Sequence, residues 1–167
     1  PGRRVTGFDC GPGNVLMDGW VQRHRGTGFD REGAWAASGR VLEPLLDRLL
    51  AEPFLALPPP KSTGRERFNL DWLADRLDRS QAPEDVQATL LEFTARAIVE
   101  AVARHCEGAT EIFLCGGGAR NPRLAGRIRE LAFPRAVRPT DDLGVPTGQV
   151  EVGWIESIPG PFFEGEG

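Results

Sequence analysis

Apolar residues recur at helical spacing through most of this chain. Leu42, Leu45, Leu46, Leu49 and Leu50 step by three and four, which predicts a helix with one buried face. Val86, Leu90, Phe93 and Ala97 mark the buried side of a longer helix over 83–106. Pro83 suits its first position, and Glu84 and Asp85 complement the positive end of the helix dipole. A helix over 15–24 carries Val15, Leu16 and Trp20 on its apolar side, with Asn14 in place to cap it. Asp30 can cap another start leading into 34–38. Leu70, Leu73 and Leu77 mark a short helix, and Asn121 and Pro122 open one on which Leu124, Ile128 and Leu131 face inward.

Between these helices lie three short extended stretches, 5–9, 111–115 and 136–138, of which 111–115 reads as a buried strand. Pro53 and the run Pro58-Pro59-Pro60 end the leucine-rich helix and introduce an exposed loop. Past Glu151 the pattern dissolves, and Pro159, Pro161 and the closing Phe162-Phe163-Glu164-Gly165-Glu166-Gly167 predict no folded element. The chain shows no internal repeat. The elements describe an α/β protein, helix-rich around a short sheet, and 167 residues suit one domain with a respectable core.

Two glycine turns stand out, each following an extended stretch and preceding a helix. The first is Gly7-Phe8-Asp9-Cys10-Gly11-Pro12-Gly13-Asn14 and the second is Cys115-Gly116-Gly117-Gly118-Ala119-Arg120-Asn121-Pro122. Strand-to-helix turns in α/β proteins gather where ligands bind, and glycines there let backbone N–H groups approach a nucleotide or phosphate. The second turn also suits a plain tight connection. It is neither a Walker loop, since no Gly-Lys-Ser/Thr follows, nor the G-x-G-x-x-G dinucleotide fingerprint. Asp9 can hold its own turn through backbone N–H groups, or it can take a proton from water or a hydroxyl. In Lys61-Ser62-Thr63-Gly64-Arg65-Glu66, Lys61 is the one lysine of a chain that otherwise uses arginine. That string suits an anion or a sugar as well as it suits a solvated loop.

Charge and cysteine content narrow the partners. A net charge of −4 gives no electrostatic reason to expect nucleic acid or an anionic membrane. No apolar run reaches the roughly 20 residues of a membrane span. Cys10, Cys106 and Cys115 are odd in number and lack C-x-x-C spacing, and His24 and His105 are isolated, so no metal site is predicted. A reduced, cytoplasmic setting is the expectation.

Four strings, in order, carry a resemblance. They are Gly7-Phe8-Asp9-Cys10-Gly11-Pro12-Gly13-Asn14-Val15-Leu16-Met17-Asp18; Pro60-Lys61-Ser62-Thr63-Gly64-Arg65-Glu66 with Phe68-Asn69; Asp85-Val86-Gln87-Ala88-Thr89-Leu90; and Cys115-Gly116-Gly117-Gly118 with Asn121. Together they resemble the anhydro-N-acetylmuramic acid kinases of bacterial cell-wall recycling. The resemblance implies the two-lobed ATPase fold of actin, hexokinase and Hsp70 chaperones, with ribonuclease H-like lobes, here an incomplete one. Residues 1–151 correspond to the C-terminal nucleotide-binding lobe and residues 152–167 to a divergent, irregular tail.

The resemblance also implies a reaction, in which ATP phosphorylates the sugar O6 while water opens the 1,6-anhydro bridge, giving N-acetylmuramic acid 6-phosphate. Asp9 matches the carboxylate that activates the water, and Glu151 matches a second acid that helps it. Gly116, Gly117 and Gly118, with Asn121, match the turn against the adenosine part of ATP. Gly11, Gly13, Asn14, Lys61 and Arg65 fall in the vicinity of phosphate or substrate. Magnesium is implied by ATP chemistry and not by a ligand motif. The expected partners are the amino sugar, ATP, a missing N-terminal lobe and a second copy in a homodimer. The family's N-terminal half, with its Gly-Thr-Ser phosphate turn, has no counterpart here, so the chain alone is expected to be inactive. The competing readings are a lobe of another sugar kinase of the same fold and a non-catalytic nucleotide-binding or interaction module. The Lys61–Glu66 string weighs against the first.

Overall fold

The structure, a computed structural model, describes residues 7–78, 80–147 and 155–158. Its elements in order are α1 (Val15–Arg25), a 3-10 turn (Arg31–Gly33), α2 (Ala34–Ser38), α3 (Glu43–Leu50), α4 (Pro53–Ala56), α5 (Leu70–Ala74) and α6 (Pro83–His105). Strand β1 (Glu111–Leu114), α7 (Gly116–Ala119), α8 (Pro122–Ala132), β2 (Ala136–Pro139), a second 3-10 turn (Thr140–Leu143) and β3 (Ile155–Ile158) follow.

The chain is helix-rich around a short sheet in the order β2-β1-β3. β1 and β2 run parallel, from Glu111 opposite Ala136 to Leu114 opposite Pro139. A parallel pair needs a crossover, and α7 and α8 supply it. β3 lies antiparallel on the other side of β1, with Leu114 opposite Ile155. These four residues correct the expectation of an irregular tail: β1 offers unpaired backbone groups along that edge, and residues 155–158 pair with them. The rest of 148–167 lies outside the described residues.

α6 is the central element, and α1, α2, α3 and α8 all pack against it. The predicted stripe of Val86, Leu90, Phe93 and Ala97 is buried. So are Gln87, Thr89, Glu92 and Thr94, which lie off that stripe. Burial of polar groups requires partners, and three of the four serve neighbouring segments. Thr89 Oγ1 accepts the Leu42 N–H at 2.9 Å and donates to the Asp85 carbonyl at 2.7 Å. Thr94 Oγ1 donates to the Gly13 carbonyl at 3.2 Å. Glu92 receives Arg96 Nε at 2.7 Å and a two-pronged bond from Arg127 of α8, at 2.6 and 2.9 Å. A single-stripe reading therefore underestimated this helix.

Several expectations hold locally. Asn121 caps α8 through its side-chain oxygen, which accepts the N–H groups of Arg123 and Leu124. Asp30 accepts the N–H groups of Trp35 and Ala36 at the head of α2. Leu45, Leu46 and Leu49 are fully buried.

Others are corrected. Residues 7–9 belong to no strand, and 5–6 lie outside the described residues. Asn14 sits at the head of α1 but makes no cap bond, because its backbone is helical (φ −86°, ψ −9°) rather than extended. The leucine-rich helix does end before Pro53, at Leu50, but Pro53 also opens the short helix α4, which was not expected. The 83–106 helix closes one residue early, with Cys106 as its cap. Among the described residues no helix is long and apolar enough to cross a membrane.

The Arg127 bond is the main cause that holds the Glu92 carboxyl below its usual value, against the opposing effect of burial. A lowered carboxyl contributes stability that is present above its unfolded-state value and lost as pH falls through the folded one. Arg127 and Arg96 are about one-third exposed, so solvent screening reduces the contribution. Glu92→Gln is expected to lower unfolding stability by about 1–2 kcal/mol at pH 7. The gap to the parent protein should narrow in urea titrations below about pH 4, and a gap independent of pH would show that charge is not what joins α6 to α8.

Candidate functional site

The first glycine turn is held from two sides. Gly13 has the left-handed φ of 55° that turns the chain into α1, and its carbonyl is tied to Thr94 of α6. On the other side, Asp9 and residues 61–63 form a bridge. The Asp9 N–H donates to the Lys61 carbonyl at 3.0 Å. Asp9 Oδ2 in turn accepts Ser62 Oγ and the Thr63 N–H, each at 2.8 Å. Asp9 Oδ1 has no partner among the described residues.

Lys61 anchors this bridge from below. It is buried, donates to the carbonyls of Phe54 and Leu55 at 3.1 Å each, and lies 4.8 Å from the centre of the Phe54 ring. Burial shifts its ammonium below the usual value. The loop is exposed as expected at Leu57, Pro58, Pro60, Ser62, Arg65 and Glu66, and it is pinned through its lysine, which gives two of its three donors to α4. Arg65 is exposed and forms no ion pair among the described residues. Burial also pushes the Cys10 thiol up to about 11, so the sulfur beside Asp9 stays protonated and is not a nucleophile.

The second turn meets the first through Asn14. After β1, Cys115 is extended and Gly116 takes a φ of 73°, which starts the short helix α7. A methyl group on Gly118 would come within 3.0 Å of Asn14 Oδ1, and one on Gly117 within 3.4 Å of Asn14 Nδ2. The absence of a side chain at Gly118 therefore leaves room for the Asn14 amide, whereas a methyl group on Gly117 would meet it at ordinary contact distance. This explains what the amide does in place of capping: it lies against the opposite turn.

The structure thus brings Asp9, Gly13 and Asn14 into one loop, with Gly117 and Gly118 against its end. Asn121 stands at the foot of the second turn with its oxygen engaged as a cap, and Gly11 packs toward Ala97 of α6. Glu151 lies outside the described residues. A cleft of about 470 Å³, lined in part by Glu92, Arg96 and Arg127, contains none of these residues.

Sequence reasoning missed two features. The hydroxyl and N–H that hold Asp9 come from Ser62 and Thr63, whose string drew attention only to its cations. Asp18, one turn beyond Asn14 on α1, is partly buried, and no hydrogen bond or ion pair reaches its carboxylate among the described residues. Burial, with the like charge of Asp30 adding to it, raises its carboxyl from 3.8 to about 6. No composition or spacing signal marks that burial.

Residues 1–156 match the family pattern described as anhydro-N-acetylmuramic acid kinase. The chain belongs to that family. It is similar to the anhydro-N-acetylmuramic acid kinase of Nitrosospira multiformis, at 50% identity over 154 residues covering 92% of this chain and 41% of the relative. The enzyme of the same description from Bordetella pertussis is 52% identical over 165 residues, covering 95% and 42%. That from Pseudomonas paraeruginosa is 52% identical over 153 residues, covering 90% and 42%. The chain therefore spans about two-fifths of the length of the anhydro-N-acetylmuramic acid kinases it matches.

Two outcomes are expected at this site. Asp18→Asn removes a carboxylate whose ionisation the fold opposes. A raised acid penalises the folded state increasingly between about pH 4 and pH 6. The variant should therefore unfold at higher temperature than the parent at pH 7.5, with the advantage gone near pH 3.5; an equal or lower midpoint at pH 7.5 contradicts this. Gly116→Ala places a side chain at positive φ and should cost about 1–2 kcal/mol. Gly117→Ala lies within a helical turn and should be neutral or stabilising by up to about 1 kcal/mol. Matching losses in urea unfolding would mean that the left-handed residue is not what the second turn requires.

Proposed function

We propose that the full-length protein is an ATP-dependent kinase that opens the 1,6-anhydro bridge of anhydro-N-acetylmuramic acid with water. It phosphorylates O6 and yields N-acetylmuramic acid 6-phosphate. The observation that carries this reading is the state of Asp9: one carboxylate oxygen is tied down twice and the other has no partner among the described residues, on the loop that reaches the glycine turn through Asn14.

The chemistry needs such a group. Water is a weak nucleophile at an anomeric carbon, so a fixed carboxylate must remove its proton as the new C–O bond forms. In this reading the proton passes to Asp9 Oδ1, the bond between C1 and O6 breaks, and O6 forms a bond to the γ-phosphorus of ATP as the bond from that phosphorus to the β–γ bridging oxygen breaks and ADP leaves. Glu151 assists as a second acid. The backbone of Gly116, Gly117 and Gly118 lies against the adenosine end of ATP, with Asn121 holding the turn in place. Gly11, Gly13, Asn14 and Arg65 border the phosphates or the sugar. Phosphoryl transfer depends mostly on positioning and charge neutralisation. Among the described residues no cluster of three or more His, Cys, Asp or Glu suits a metal, so magnesium enters only as the companion of ATP and no step is assigned to it.

Residues 1–151 in this reading form the nucleotide-side lobe of an actin- and hexokinase-like fold, to whose sheet residues 155–158 add a strand. The remaining three-fifths of the relatives' length corresponds to the part that completes the sugar and phosphate sites. The setting is cytoplasmic, where ATP is supplied.

The test is sugar-dependent ATP turnover by the full-length protein, with product identified at the 6-position. Asp9→Asn should lower kcat by about 10²- to 10⁴-fold while leaving the KM for ATP largely unchanged. No turnover with anhydro-N-acetylmuramic acid in a folded, ATP-binding protein would favour a non-catalytic nucleotide-binding module. Loss of ATP binding in Asp9→Asn would make Asp9 structural.

A further inference from the structure

We infer that Ser62 is a positioning residue for the reaction, fixing the direction in which Asp9 presents its proton-accepting oxygen. The inference rests on the proposed role of Asp9 and adds to it a residue outside the proposed catalytic pair.

A carboxylate at the end of two rotatable bonds can turn, and a general base works only when a lone pair is aimed within about 10–20° of the proton it takes. Three bonds between two short segments remove that freedom here. The Asp9 N–H to the Lys61 carbonyl sets the backbone, and Ser62 Oγ and the Thr63 N–H then converge on Oδ2. With Oδ2 held by two donors from one side, the plane of the carboxylate is set and Oδ1 points away from the segment. The donors differ in kind. The Thr63 contribution comes from backbone that every residue but proline possesses, whereas the Ser62 contribution comes from its hydroxyl alone. Segment 61–63 cannot drift, because the Lys61 ammonium is bonded to two carbonyls of α4.

Ser62 is exposed. Water can therefore replace its bond to Asp9 but not the bond's fixed direction, and the loss falls on turnover rather than on folding.

The experiment uses the full-length protein with ATP and anhydro-N-acetylmuramic acid. Ser62→Ala should lower kcat by about 10- to 100-fold. Both KM values should stay within about twofold, and the unfolding midpoint should be that of the parent. Ser62→Thr keeps the hydroxyl and should restore most of the rate. Parent-level kcat in Ser62→Ala overturns the inference, as does a loss that Ser62→Thr fails to restore. A crystal structure of Ser62→Ala reads the orientation without reference to turnover. An Asp9 carboxylate still in the parent plane overturns the inference, and a rotated one supports it. A parent protein without sugar kinase activity would defeat the proposed function, and the crystallographic comparison would still decide whether Ser62 orients Asp9.

Discussion

Every other part of this structure depends on the burial of α6 on more than one face. A helix so enclosed gains from partners for the polar side chains it carries, because an unpaired buried group costs on the order of 1–3 kcal/mol, a cost it bears at Gln87, whose side-chain amide has no hydrogen-bond partner among the described residues. Thr89, Glu92 and Thr94 find theirs on the segments packed around them, at the approach to α3, on α8 and in the first glycine turn. These bonds tie the core to its periphery. The turn carrying Asp9 and the helix that follows the glycine run are therefore held by the same rod, from two of its sides.

The candidate site is held by bonds between segments far apart in sequence. Asp9 and residues 61–63 are separated by the whole of α1 to α4, yet three hydrogen bonds join them. Lys61, the chain's one lysine, is the residue most suggestive of an anion site, and its charge is spent inside the protein. It gives up solvation for two carbonyls and an aromatic face, and the return is a rigid support for the neighbouring hydroxyl and N–H.

Asp18 works against stability in the same neighbourhood. Its carboxyl is raised because its surroundings disfavour charge. A group that the fold does not favour, one turn from the Asn14 amide between the two glycine turns, marks a region where the chain accepts a cost. Strained or disfavoured groups of this kind gather at functional sites.

Much of the local structure was legible from residue order alone, because helix periodicity, capping chemistry and glycine runs act over a few neighbours. The leucine stripe of α3, Asn121 with Pro122 at the head of α8, and the extended stretches near 111–115 and 136–138 all follow from such short-range rules, though not the parallel pairing of those strands. The four ordered strings also pointed to the family. What they left open was settled by contacts between distant segments. Asn14 has the residue type of a cap, but its backbone is helical and its amide lies against Gly117 and Gly118. Thr89, Glu92 and Thr94 look like a solvated face until their partners are seen, and residues 155–158 carry no strand pattern yet pair with β1. Ser62 gained its place only when residue 62 was brought to residue 9. Sequence by itself determined which elements form and what chemistry they carry. Tertiary structure decided which polar group faces which, since a hydrogen bond depends on a few tenths of an ångström between atoms that residue order leaves dozens of positions apart.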